Sequence, residues 1–232
     1  ENSREKELQY IDLLYSHRVL GIVVCSHIGE TMEHLDSNCP LISFEREIAE
    51  NIPAVLCDNY QGGILAANRL FDAGCRNIAI FNPPTKENIP AYSREKAFMK
   101  CCEDKKISGR VVYTDRLAPL SEEFGNNILE LLKKNSDLDG IFATSDVMAA
   151  NIIRACKKMG KRVPEDISIV GFDDTWISTL TYPSITTIHQ PVQEMCEYAI
   201  EAIIKKVKSE KVPSQVVFPV ELIDRESTGK VK

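Results

Sequence analysis

The sequence has one tryptophan, four histidines and no run of apolar residues approaching the ~18 that a membrane helix needs. Basic residues are also in deficit: 28 Lys and Arg stand against 34 Asp and Glu, for a net charge of −6 and a pI near 5.4. A chain that grips nucleic acid by itself needs clustered cations against phosphate, so this balance argues against such a reader and against a basic membrane-surface protein. There is no C-x-x-C pair, which removes the main signature of zinc ribbons and thioredoxin-like redox sites. His17, His27, His34 and His189 form no ligand-spaced pair on a helix. Dinucleotide-binding, Walker-type phosphate, nucleophile-elbow and zincin motifs are likewise missing. No cofactor or metal is expected, and no catalytic residue can be named.

What is present is an ordinary globular composition, 44% hydrophobic and 27% charged over 232 residues. That length gives one large domain or two small lobes with a real core. The eight cysteines, several inside apolar runs such as Ile22-Val23-Val24-Cys25, read as reduced, packed thiols, which fits a reducing cytoplasm. The charged first ten residues do not read as a signal peptide.

Strand-like and helix-like segments alternate. Short apolar runs at 19–25, 40–44, 53–57, 77–81, 110–113, 139–144, 167–171 and 216–223 read as strands, the last interrupted at Pro219, for roughly eight or nine in all. Between them lie amphipathic stretches. Asp58 heads one with Ile64, Ala67 and Phe71 on one face. Another has Ala97, Phe98 and Cys101 inward, and Ser121 heads one with Phe124, Ile128 and Leu132 inward. Ser145 or Asp146 heads a fourth with Ala149, Ile152, Ile153 and Cys156 on one face. Pro191 starts a last long helix. Gly62-Gly63 falls inside a helix and is no phosphate loop, and Trp176 reads as a loop residue that packs on a neighbouring lobe. The alternation means an α/β fold with parallel sheets, and continuously apolar strands are those covered on both faces.

In open parallel sheets, ligands bind beyond the carboxyl ends of the strands. The groups following the strands here are Asp58, Arg94, Ser145-Asp146 and Asp173-Asp174. Carboxylates accept from hydroxyls and a guanidinium donates in a fixed fork, so the set suits a neutral, hydroxyl-rich ligand. Asp58 and Asp146 read first as helix caps. Asp173, with no helix start behind it, reads as a ligand group.

Residues 163–174, VPEDISIVGFDD, resemble the signature of the LacI/GalR family of bacterial transcriptional regulators. The stretches PSITTIHQP at 183–191, DGIFATSDVMA at 139–149 and AGCRNIAI at 73–80 are similar to further motifs of that family, and the likeness spans about residues 5–229. It implies two Rossmann-like lobes of the periplasmic-binding-protein-like type I, one from 1–57 plus 191–217 and the other from 58–190 plus 218–232, with an effector in the cleft between them. It also implies that the first strand and helix of the N-terminal lobe, and the N-terminal helix-turn-helix that meets operator DNA, are absent from this stretch. By position, Arg94 and Asp173 resemble the family's ligand-binding arginine and aspartate, and Gln190 a crossover residue that often faces the ligand. Ser145 stands where Asn is common, and Leu120 stands where some members stack an aromatic ring on a sugar. The function so implied is a cytoplasmic, non-enzymatic, homodimeric sensor whose sugar-like effector controls DNA binding. An extracytoplasmic sugar-binding protein of a transporter is the alternative, and unpaired cysteines weigh against it.

Overall fold

The computed structural model describes residues 4–25, 39–84 and 89–229. His27 and His34 therefore lie outside the described residues. The chain divides into two compact units. Unit 1 is Glu1–Cys57 with Pro191–Phe218, and unit 2 is Asp58–Gln190 with Pro219–Lys232.

Unit 1 contains helix α1 (Arg4–Ser16), strands β1 (Ile22–Val24), β2 (Leu41–Phe44) and β3 (Ala54–Cys57), then, much later in the chain, helix α7 (Val192–Val207) and strand β9 (Gln215–Phe218). Its sheet is wholly parallel, in the order β1-β2-β3-β9. β2 and β3 are buried almost throughout, which explains their unbroken apolar character. A small core of Ile22, Leu41 and Ile52 receives Leu14 and Tyr15 from α1. α7 covers β2 and β3 with Met195, Ala199, Ala202 and Ile203, one stripe at helical spacing.

Unit 2 holds α2 (Asn59–Asp72), β4 (Asn77–Asn82), α3 (Tyr92–Lys105), β5 (Ser108–Tyr113), α4 (Glu122–Lys134), β6 (Gly140–Ala143), α5 (Asp146–Lys158), β7 (Ser168–Asp173), the short α6 (Ile177–Leu180), β8 (Thr186–His189) and β10 (Glu221–Ile223). The sheet runs β10-β8-β7-β6-β4-β5. Every pairing is parallel except β10 with β8, which is antiparallel at the edge. The core is continuous from Phe81, Ile141 and Ile169 to the helix residues Phe124, Ile128, Leu132, Ala149, Ile152 and Cys156. Thus α4 and α5 bury the faces their periodicity predicts.

The α/β class and the parallel sheets follow the sequence reading, with four corrections. The segment 216–223 is two strands: β9 belongs to unit 1 and β10 to unit 2, with Pro219 between them. Thr186–His189 is a strand that the apolar pattern misses, so the described residues hold ten. α2 turns a different face inward, Gly62, Gly63, Ala66, Ala67 and Leu70, while Ile64 and Phe71 are only half-buried. The glycines are there for close approach: a Cβ on Gly63 would lie 2.3 Å from the Arg94 carbonyl oxygen and 2.9 Å from Ala97 Cβ. α2 and α3 can pack at that distance only without a side chain at 63. In α3 it is Cys102, not Cys101, that is buried beside Ala97 and Phe98.

Candidate functional site

Four strand ends of unit 2 meet at the centre of its sheet: β4, β6, β7 and β8. Arg94 projects from the first turn of α3 and is 8% exposed. Its Nε donates to Asn59 Oδ1 at 2.5 Å, and its Nη1 donates to the Thr144 carbonyl, just past β6, at 3.3 Å. The guanidinium carbon sits over the Phe172 ring, 3.5 Å from its centroid. A buried guanidinium stacked on an aromatic face is held in a fixed orientation. One side chain thus bridges α2, β6 and β7.

β7 ends in two adjacent residues with left-handed backbone, Asp173 at φ 102° and Asp174 at φ 57°. Neither is glycine, and such conformations cost about 1–3 kcal/mol each unless the surroundings impose them. The surroundings here do so through the carboxylates. Gln190 Nε2, just beyond β8, donates to Asp173 Oδ1 at 2.6 Å. Asp174 accepts from Arg225 Nη2 at 2.7 Å and Ser178 Oγ at 3.2 Å, and pairs with His189 Nδ1 at 3.0 Å. Burial raises the Asp174 carboxyl, but the hydrogen bond and charge of Arg225, with hydrogen bonds from His189 and Ser178, outweigh it and leave it below the usual carboxylate range.

Asp58 caps α2: its Oδ1 accepts from the Gln61 N–H at 2.9 Å. Ser145 caps α5, its Oγ accepting from the Met148 N–H at 3.2 Å. Asp146 is not a cap. It is fully buried and its carboxylate accepts from Thr175 N at 2.6 Å, Thr175 Oγ1 at 3.1 Å and Thr187 Oγ1 at 2.6 Å. Burial raises its carboxyl, against those three bonds. Gly171 makes room for it, since a Cβ there would lie 2.5 Å from Asp146 Oδ1. Asp146 therefore ties α5 to the turn after β7 and to β8.

The fold brings Arg94, Asp173, Gln190, Ser145 and Asp58 to the strand ends of the sheet. Leu120 is on the loop between β5 and α4, 86% exposed. Trp176 is 71% exposed. Sequence reasoning missed a second polar chain beside Arg94. Tyr113 Oη donates to Glu95 Oε1 at 3.0 Å, Asn82 Nδ2 donates to Glu95 Oε2 at 3.2 Å, and Thr144 Oγ1 donates to Asn82 Oδ1 at 3.1 Å. A glutamate in a first helical turn reads as a complement to the helix dipole, so nothing local marked Glu95 as buried. Among the described residues no group of three or more His, Cys, Asp or Glu could hold a metal ion, and no helix is long and apolar enough to cross a membrane.

The arrangement offers planar donors, carboxylate acceptors and an amide. It suits recognition of hydroxyls. Comparison with known proteins points the same way. The periplasmic binding protein-like domain family matches residues 67–228. The ribose operon repressor of Halalkalibacterium halodurans is 32% identical over 225 residues, covering 97% of this chain and 67% of that protein. The sucrose operon repressor of Lactococcus lactis is 29% identical, covering 96% of this chain and 68% of that protein. Among solved structures, a periplasmic binding protein/LacI transcriptional regulator from Alkaliphilus metalliredigens, in complex with D-xylulofuranose, is 33% identical with a TM-score of 0.85, over 98% of this chain and 85% of that one. A LacI family regulator from Enterococcus faecium with bound ribose is 27% identical with a TM-score of 0.82, over 97% of this chain and 85% of that one. The chain belongs to the periplasmic binding protein-like family, in the form that serves as the effector domain of LacI-type transcriptional repressors.

Proposed function

We propose that this chain is the sensing domain of a LacI-type regulator and that it takes a small neutral sugar at the strand ends of unit 2. The observation that carries the reading is the Arg94 guanidinium, buried and stacked on Phe172 beside the strained Asp173–Gln190 pair. Strain held at a strand end by its neighbours is a mark of a binding site. Arg94 donates to sugar oxygens in this reading. Asp173 accepts from sugar hydroxyls. Gln190 fixes Asp173 and offers its own amide oxygen. Asp58 and Ser145 line the same face while capping their helices, and Leu120 supplies an apolar contact at its margin. The named relatives support the sugar: two are repressors of ribose and sucrose operons, and two solved relatives hold D-xylulofuranose and ribose.

With a net charge of −6, operator contact falls to a helix-turn-helix domain joined to this one, in a cytoplasmic homodimer. Effector binding changes the affinity for DNA because one ligand favours a conformation that the other does not. No turnover is part of the reading.

The test is a melting-temperature panel of ribose, xylulose, sucrose, glucose and cellobiose on the purified chain. A ligand at 100 times its Kd adds about 2.7 kcal/mol of stability. One sugar is expected to raise the melting temperature, to be recovered unchanged, and to lose its effect with Asp173→Ala or Arg94→Ala. A sugar that still stabilises Asp173→Ala to the same degree would place the site elsewhere.

A further inference from the structure

Unit 1 carries two exposed thiols, Cys25 and Cys196, far apart in sequence. Its topology brings them to one edge. The last turn of α7 and the loop after it, at Lys206, Ser209 and Glu210, line a recess together with Asn51, Pro53 and Ser214. Those three precede β3 and β9, so the carboxyl end of α7 lies at the amino ends of the strands. α7 therefore runs against the strand direction, and its first turns lie toward the strands' carboxyl ends.

The register between α7 and β1 is fixed by one contact. Ile203 packs on Gly21, the residue before β1, so closely that a Cβ at 21 would lie 2.6 Å from Ile203 Cγ2. From Gly21 the chain advances four residues to Cys25, about 13 Å at ~3.3 Å per residue. From Ile203 it goes back seven residues to Cys196, about 10 Å at ~1.5 Å per residue. Seven residues come within ~20° of two full turns, so Cys196 and Ile203 share a stripe of α7. Both thiols thus reach the carboxyl end of β1 on the side that α7 covers. Arg46, just after β2, is at the same end because β2 runs parallel to β1. The proximity is also felt electrostatically. Burial raises the Cys25 thiol, the neighbouring Cys196 raises it further, and Arg46 opposes both. Elsewhere burial holds the thiols of Cys102 and Cys156 up, to about 12 and about 11, and both are shut away from solvent.

We propose that Cys25 and Cys196 are a dithiol pair that a hydroperoxide oxidises to an intramolecular disulfide across the carboxyl end of β1 and the first turns of α7. One thiolate attacks a peroxide oxygen, the O–O bond breaks, and a sulfenic acid forms with release of water or an alcohol. The second thiolate attacks that sulfur, the S–S bond forms, and the hydroxide expelled leaves as water after taking a proton. Two thiols lose two electrons and two protons, and the peroxide gains them. The pairing stands apart from the sugar reading and is tested without a sugar.

The experiment is peroxide treatment of the purified chain, followed by non-reducing peptide mapping and a thiol count in denaturant. The expected product is monomeric, joins the Cys25 and Cys196 peptides, and retains six of the eight thiols. Cys25→Ser and Cys196→Ser should each abolish that link while leaving the melting temperature of the reduced protein unchanged. If either variant fails to fold, the peptide map of the unsubstituted chain decides alone. A bond from either residue to Cys39 or Cys57, linkage only between two chains, or separate oxidation of the two thiols without a bond would overturn the proposal.

Discussion

The plane of Arg94 rests on the ring of Phe172, its guanidinium carbon 3.5 Å from the ring centroid. α3 and β7 therefore meet through a charged stack and not through aliphatic packing alone. Arg94→Lys keeps the charge and loses the flat face and the fork. We expect it to weaken sugar binding at least tenfold while lowering stability by about 1 kcal/mol. Calorimetric titration with the sugar that stabilises the chain, beside urea unfolding, separates the two effects. Binding unchanged in Arg94→Lys would show that the stack serves only the core.

Asp146 separates two magnitudes. A helix cap costs about 1 kcal/mol when replaced by alanine, whereas a buried carboxylate that satisfies several donors costs about 3 kcal/mol or more because those donors are left unpaired. Bonds from Thr175 and Thr187 place Asp146 in the second class. Asp146→Ala is expected to lower the urea midpoint by the larger amount and Ser145→Ala by the smaller. Equal effects would return Asp146 to a capping role.

Gly63→Ala puts a methyl where the Arg94 backbone oxygen already stands, at 2.3 Å. The helices must separate, at about 1–3 kcal/mol, and Arg94 must move with α3. Loss of stability and of sugar affinity should therefore appear together. Gly160→Ala is the control, since nothing lies within 4 Å of its Cβ and only its φ of 71° opposes the change. It should lower stability and leave affinity intact.

Asp174 predicts an acid-side loss. Its carboxyl is below the usual range when folded, so its contribution is present above the unfolded carboxylate value of about 3.9 and is lost as pH falls through the folded value. Asp146 is raised and acts with the opposite sign. The comparison is therefore wild type against Arg225→Met, which share Asp146. Removing Arg225 should lower stability near neutral pH and flatten its decline below about pH 5. Parallel pH curves for the two proteins would contradict the role given to Arg225.

The sequence made α4 and α5 legible because their core is built from large aliphatic and aromatic side chains, Phe124, Ile128, Leu132, Ile152, whose 3.6-residue period survives without tertiary knowledge. It misled at α2, where the buried face is glycine and alanine and the larger Ile64 and Phe71 point partly outward. Size reads as burial in a pattern, but close helix packing selects against size. β8 was hidden for a related reason. Thr186 and Thr187 look like solvent residues, yet both are fully buried, with hydroxyls matched to Thr228 and Asp146 more than forty residues away in sequence. No local window contains those partners. Positions Arg94, Asp173 and Gln190 were legible as strand-end polar groups and through the family resemblance. The positive φ of Asp173, the Phe172 stack and the Glu95 chain were not, because each depends on an element that arrives later in the chain.

Pro219 parts two neighbouring strands that go to different sheets, and this has a consequence for biosynthesis. As the ribosome works from the N-terminus, unit 2 has nearly all of its strands before α7 and β9 exist, while unit 1, the earlier of the two in this stretch, stays without α7 until residue 207 and without β9 until residue 218 emerges. The nascent chain must therefore hold an unfinished four-strand sheet, with β3 bare along one edge, while the residues between β3 and β9 are made. Pauses or chaperones that act during this interval will bear on unit 1 far more than on unit 2.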